Sequence, residues 1–351
     1  MRTWLLICLG LLLSLRMYCK PIDDGIYIRY YFDKMDLPQL VILQIEQDAR
    51  GYLWLATEKG VYRFDGNEAV PLADIVPGND EVLKQYIPWI MVDNAAGVLW
   101  MSTGYVYEFK TGCVRMNKIT SEFMQNPPLI DTQGNLWISY FDKYVKYGSD
   151  RIANSTLEIP VGVGFTQSEH YVWGMSRTGV LHRMSIGEGN IACTQYNLNH
   201  FGLGEITVMC AVSDDLLLLG TKYTGLWLYD VRRQTARQIF QENYIRNILS
   251  YSSTEYWIAT ENGIYIYDII ADTIDHWTKD PYDVNSLQDH AIYSFYKDSE
   301  GEFGVVVISE GCHTFLTDYV ISGPISRVPV IRNLGGQYVG NFVRIIKDIF
   351  G

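Results

Sequence analysis

Short apolar runs and turn-forming groups alternate through residues 41–72. Val41 to Glu46 is mostly apolar, Asp48-Ala49-Arg50-Gly51 reads as a turn, and Tyr52 to Ala56 is apolar and aromatic again. Glu58-Lys59-Gly60 breaks the pattern, Val61 to Phe64 resumes it, and Asp65-Gly66 precedes a last short run, Glu68 to Leu72. Runs this short, with aromatic and β-branched residues between Gly and Asp turns, predict four consecutive antiparallel strands. Such a sheet is apolar on both faces and needs neighbours to cover it.

The same pattern returns six times. Asp93, Gly97, Leu99-Trp100 and Val106-Tyr107 repeat it in residues 92–109, and Asp131, Gly134 and Leu136-Trp137 in 130–147. Residues 168–184 keep Val172-Trp173 and Gly179, residues 213–230 replace the tryptophan by Leu218, and residues 253–268 restore it as Trp257 with Thr260 and Gly263. In residues 297–313 the equivalent position is Gly304. The period is about 42 residues, the size of a four-stranded propeller blade, and seven copies fall within the usual four to eight blades. The expected fold is therefore an all-β, seven-bladed propeller of four-stranded antiparallel blades. Residues 26–32, ahead of the first copy, are expected to supply the outer strand of the seventh blade, with residues 319–330 as the alternative. Asp348 and Gly351 begin another copy, so the expected division is a signal peptide at 1–20, a propeller at 21–330, and at 331–351 a linker and the start of a second propeller.

Composition narrows the class. The 351 residues include 26 Tyr and 9 Trp and carry a formal net charge of −12. Phosphate-backbone recognition needs clustered Lys and Arg, so nucleic acid is not an expected partner. Arg2 followed by the apolar run Trp4 to Leu15 has the form of a secretory signal and is short of the about 20 residues needed to span a bilayer. The chain is therefore expected to be exported. Cys113, Cys193, Cys210 and Cys312 are widely spaced, with no metal-ligand spacing, and no metal or cofactor motif is present.

The stretch VILQIEQDARGYLWLATEKGVYRFDG (41–66) resembles the two-component regulator propeller repeat, and DPYDVNSLQDHAIYSFYKDSEG (280–301) is similar to a segment that leads into new repeats of that family. The resemblance implies the periplasmic sensor region of a hybrid two-component histidine kinase, of the kind found in gut Bacteroidetes. Two seven-bladed propellers, a small β-sandwich, a membrane helix and cytoplasmic signalling modules would make up the whole. It implies an oligosaccharide ligand and, as partners, a second propeller of the same sensor or a second sensor chain. The kinase motifs are not in this chain, so kinase activity is not carried over. The membrane would be reached only through segments that this chain lacks.

Trp54, Trp100, Trp137, Trp173 and Trp257 recur at one blade position and are read as inter-blade packing. The residues that break the repeat are better candidates for function. In a propeller the turns between second and third strands share one face with the blade-to-blade linkers. That face is expected to carry Tyr86, Trp89, Asp142, Lys143, His170, Arg177, Lys222, Tyr223, Tyr244, Arg246, Glu310 and His313, with the Glu58-Lys59 turn beside them. Aromatic rings stack on sugar faces, and Arg or Lys can hold acidic sugar groups. No nucleophile elbow, zinc-helix motif or phosphate loop is present. The leading expectation is a non-catalytic ligand-sensing propeller. The alternatives are a propeller lyase or hydrolase built on funnel carboxylates and a His, or a purely structural scaffold.

Overall fold

A computed structural model describes residues 26–30, 41–65, 68–116, 126–149, 153–187, 190–282, 287, 290–297, 303–309, 316–324 and 342–347. The expected signal at 1–20, and Glu310 and His313, lie outside the described residues. Among the described residues six sheets are four-stranded and antiparallel, each with its strands in sequence order. They cover 42–71, 90–116, 129–158, 166–197, 206–240 and 247–277. The chain is thus a six-bladed propeller, and the expectation of seven such blades is corrected.

The seventh copy fails to make a regular blade. Its strands Ala291–Lys297, Phe303–Ser309 and Leu316–Pro324 join Phe342–Lys347 and Ile26–Tyr30 in a five-stranded sheet. Phe342–Lys347 runs parallel to Leu316–Pro324, so the sheet is mixed. Ile26–Tyr30 does sit at its edge, but it pairs with Phe342–Lys347 rather than with the third strand. A physical reason is visible in the repeat: Gly304 stands where a tryptophan would fill the space between neighbouring sheets, so this sheet lacks the wedge that aligns a blade. Its innermost strand still packs between its neighbours. Tyr296 joins a cluster with Ile42, Ile45 and Leu55 of blade one, and Ile292 joins one with Trp257 and Ile264 of blade six.

The repeated residues have identifiable tasks. Trp54, Trp100, Trp137, Trp173 and Trp257 are all buried, and Leu218 is buried in the same role. Trp54 packs with Leu99 and Tyr107 of blade two, and Trp137 with Val172 and Met184 of blade four, so the series fills the seams between blades. The turn aspartate does more than shape its turn. Asp131 accepts backbone N–H bonds from Gln133 and Asn135, each at 2.9 Å, and its other oxygen accepts the indole N–H of Trp137 at 2.8 Å. Asp48 does the same for Arg50, Tyr52 and Trp54, the indole at 3.1 Å. Blade four uses Ser168 Oγ for Trp173 at 3.2 Å, and blade six uses Glu255 for Trp257 at 2.6 Å. In blade two the turn is one residue longer, and the buried Trp100 indole has no acceptor among the described residues.

The turn between second and third strands is equally regular. Buried Thr57 and Thr260 donate to the carbonyls of Gly60 and Gly263 at 2.7 and 2.9 Å, and accept from Lys59 and Asn262. Gly60 and Gly263 have φ of +123° and +99°. A Cβ on either would stand 2.0 Å from the Leu83 carbonyl oxygen or 2.1 Å from that of Trp277. The glycine is required because the chain leaving each blade passes directly over it. Linker amides then bind the turn, Ile87 to the Thr57 carbonyl and Ile245 to the Thr221 carbonyl, each at 3.0 Å. Cys113, Cys193 and Cys210 are free thiols, and burial pushes the Cys210 thiol up to about 12.

Asp131→Ala should destabilise the protein by about 3 kcal/mol, because a buried indole N–H and two turn amides lose their acceptor together. Ser213→Ala, in the turn of the blade that has Leu218 at the wedge position and so no indole for this turn to satisfy, should cost less than about 1 kcal/mol. Urea unfolding of both variants, read at the midpoint with an unchanged slope, checks this pair.

Candidate functional site

Each antiparallel blade sends its first-to-second turns to one end of the ring. Its second-to-third turns and the blade-to-blade linkers go to the other. The two ends differ in chemistry. The first end carries the repeated turn aspartates, which accept from amides of their own turns and, in blades one and three, from the indole. The linker end carries most of the residues that vary from blade to blade.

On the linker end two groups form. In the first, Tyr244 and Arg246 lie in the linker from blade five to blade six. The Tyr244 amide donates to the Lys222 carbonyl at 2.8 Å, and the Arg246 amide to the Ala259 carbonyl at 2.9 Å, which ties this linker to the turn of blade five and to the second strand of blade six. The Arg246 guanidinium pairs with Glu261 and lies over the rings of Tyr244 and Tyr293, 4.5 and 5.6 Å from their centroids. Tyr293 comes from the innermost strand of the mixed sheet. Burial pushes its phenol up, and Tyr86 and Tyr244 push it the same way against the pull of Arg246. Lys222 pairs with Glu205 at 3.2 Å, and that hydrogen bond raises its pKa further; its amine lies 5.4 Å from the centroid of Tyr223, which is 62% exposed. Tyr86, from the linker between blades one and two, is 59% exposed.

The second group lies on blades three and four. Phe141 is 62% exposed, and the Arg177 guanidinium lies 4.0 Å from its ring centroid while Arg177 Nε donates to the Val161 carbonyl at 2.9 Å. Asp142 is exposed, with its carbonyl accepting from the Ile159 amide at 2.9 Å. Lys143 is half-buried, its amine 5.0 Å from the centroid of Tyr140.

Two expected residues are elsewhere. Trp89 is buried in the core with Met91, Trp100 and Tyr140, because the linker turns inward after Ile87 to begin blade two. His170 belongs to the turn between the first and second strands of blade four, on the opposite end of the ring. There its Nδ1 lies 2.6 Å from Asp214 of blade five, and its amide donates to the same carboxylate at 3.1 Å. The hydrogen bond to Asp214 raises the His170 pKa. Burial pushes Asp214 up, but hydrogen bonds from Ser168 and His170 outweigh it and hold the carboxylate low. A cleft of about 550 Å³ opens beside this pair, lined by Thr132, Gln167, Glu169, Ser213 and Asp215 among others.

Sequence reasoning missed Glu205, Glu261, Tyr293, Phe141 and Glu46. Glu261 had a signal, since it occupies the place in its turn that Glu58 occupies in blade one. Tyr293 sits inside an apolar strand and had none. Glu46 lies on the innermost strand of blade one, its carboxylate enclosed although the residue keeps some solvent contact. Burial pushes it up to about 7 against the hydrogen bonds of Gln44, at 3.0 Å, and of the Val92 backbone. Among the described residues no group of three or more His, Cys, Asp and Glu could hold a metal ion, and no helix is long and apolar enough to cross a membrane.

Because the folded pKa of Glu46 is raised, the native state holds this proton more tightly than the unfolded chain. The contribution of Glu46 is intact below about 4.5 and is lost as pH rises towards about 7. Glu46→Gln should raise the melting temperature at pH 8 and leave it almost unchanged at pH 4, and melts at both pH values check the difference.

No family profile and no curated protein matches this chain. Solved structures do. The extracellular domain assigned to a hybrid two-component system of B. thetaiotaomicron superposes with a TM-score of 0.60 at 18% identity, over 80% of this chain and 40% of that one. A second such domain from the same organism gives 0.60 at 16% identity, over 80% and 38%. The WD40 propeller of Doa1 gives 0.52 at 10% identity, over 76% and 93%. At these identities the likeness shows the fold. The chain spans about two fifths of the length of the bacterial domains it matches, and those neighbours are extracellular domains of two-component systems, the same group of proteins that the repeat resembles.

Proposed function

We propose that this chain is an exported, non-catalytic sensing propeller of a hybrid two-component sensor, and that it binds an oligosaccharide on its linker end. Exposed Tyr86, Phe141 and Tyr223 on one end of the ring, with Arg177 beside Phe141 and Lys222 beside Tyr223, carry the reading. Exposed aromatic rings beside fixed polar groups suit sugars, which present an apolar C–H face and a rim of hydroxyls. The likeness to extracellular domains of two-component systems supports a sensing role and an extracytoplasmic location.

Signalling then follows from differential affinity. A ligand that binds one arrangement of the sensor's domains better than another shifts the population towards it, and no chemistry on the ligand is needed. The partners are the second propeller of the sensor or a second sensor chain.

Thermal shift against a panel of plant and host oligosaccharides tests the reading. A ligand at about 100 times its Kd should stabilise the fold by about 2.7 kcal/mol. Tyr86→Ala and Tyr223→Ala should abolish the shift and leave the unliganded melting temperature unchanged, since both side chains are exposed. A panel that shifts nothing, or a shift that survives both substitutions, overturns it.

A further inference from the structure

We infer that the ligand of the linker end is an uncharged oligosaccharide, held across the Arg246–Glu261 ion pair and the rings of Tyr244 and Tyr293. This rests on the oligosaccharide reading above and narrows it.

Arg and Lys among the candidates first point to acidic sugars. The structure takes that charge away. Arg246 is paired with Glu261 and Lys222 with Glu205, and Glu242 of the same linker, bonded to Asn262 and Tyr265, adds a further carboxylate, so this part of the face has no excess positive charge. A carboxylate or sulfate approaching Arg246 meets the Glu261 carboxylate at the same guanidinium. It must displace that carboxylate or sit against a like charge, and the overall charge of −12 adds a long-range bias in the same direction. A neutral sugar meets no such barrier. Glu261 can accept from its hydroxyls, and the guanidinium can donate to them.

The pair is also held ready. Tyr244 and Tyr293 both lie against the guanidinium, and Arg246 is largely buried, its side chain 21% exposed against 44% for Glu261. Ordering the donors before the ligand arrives reduces the entropy lost on binding. Tyr86, close enough to influence Tyr293 electrostatically, and Tyr223 add exposed rings for the sugar faces.

The test is titration calorimetry of the purified chain with cellotetraose, galactotetraose and mannotetraose, against tetragalacturonate and a sulfated carrageenan tetrasaccharide. The expected result is binding of a neutral probe, weakened at least about tenfold in Arg246→Ala. Glu261→Gln should weaken the neutral probe as well and bring measurable binding of an anionic one, because the guanidinium is then unneutralised. Neutral binding should also be nearly independent of salt between about 50 and about 500 mM, where an anionic ligand would be screened. An anionic probe that outbinds the neutral ones on the unmodified chain overturns this inference alone. So does neutral binding that survives Arg246→Ala in a variant with an unchanged melting temperature. Binding of no probe overturns the oligosaccharide reading and this inference with it.

Discussion

A buried indole N–H needs an acceptor, and in four blades of this propeller the turn that precedes the tryptophan strand, or the first residue of that strand, supplies one. In blades one and three the same carboxylate closes the turn through two amides and holds the indole in the seam between blades. This joins three levels of structure in one residue. The turn fixes where the second strand starts, the strand places the ring, and the ring fills the space that neither sheet could hide alone. Blades four and six reach the same end with Ser168 and Glu255. The constraint is therefore that the indole be satisfied, and not that the acceptor be aspartate. Blade two, whose turn is one residue longer, shows the cost of a slipped register: the ring is still buried, and its N–H goes without a partner among the described residues.

This is why the blades are legible in the sequence. Asp, Gly, Trp, Thr and Gly recur at fixed spacing because each is forced by local geometry, and a constraint renewed in every blade leaves a periodic trace. The glycine after the second strand illustrates it: in the sequence it reads as turn chemistry, but the stronger reason is the carbonyl at Leu83 or Trp277 that leaves no room for a side chain. Where the trace weakens, the pattern misleads. Copy seven keeps an aspartate and its glycines but has Gly304 in place of the ring, and its strands go into a mixed five-stranded sheet. The pairing of that sheet with Ile26–Tyr30 and Phe342–Lys347 depends on contacts far apart in sequence, which no local pattern records.

The site is legible only in part, for a related reason. Loops that depart from the repeat can be picked out, and Tyr244, Arg246, Lys222 and Tyr223 are among them. Which of them meet is set by the closure of the ring, so Tyr293, from a strand that reads as ordinary core, has no sequence signal that places it beside Arg246. His170 is expected at the wrong end because Ser168-Glu169-His170 lacks the Asp and Gly that mark the turn elsewhere. Trp89 misleads because a linker tryptophan and a core tryptophan look alike until the chain's inward bend after Ile87 is seen.

The placement of the Arg246 group bears on how a signal could begin. Tyr244 and Arg246 lie on a linker, Glu261 on the turn of blade six, and Tyr293 on the first strand of the mixed sheet. A ligand that contacts all three at once opposes their separation, because its binding free energy is lost when they part. The mixed sheet has neither a tryptophan nor a leucine at the wedge position, which by the pattern of Trp54 and Trp137 belongs to the seam with blade one, whereas Trp257 of blade six packs with Ile292 and Phe295 in the seam beside the Arg246 group. Binding energy placed at the Arg246 group therefore reinforces a seam that buried side chains already hold, and it couples the linker, blade six and the mixed sheet as one unit.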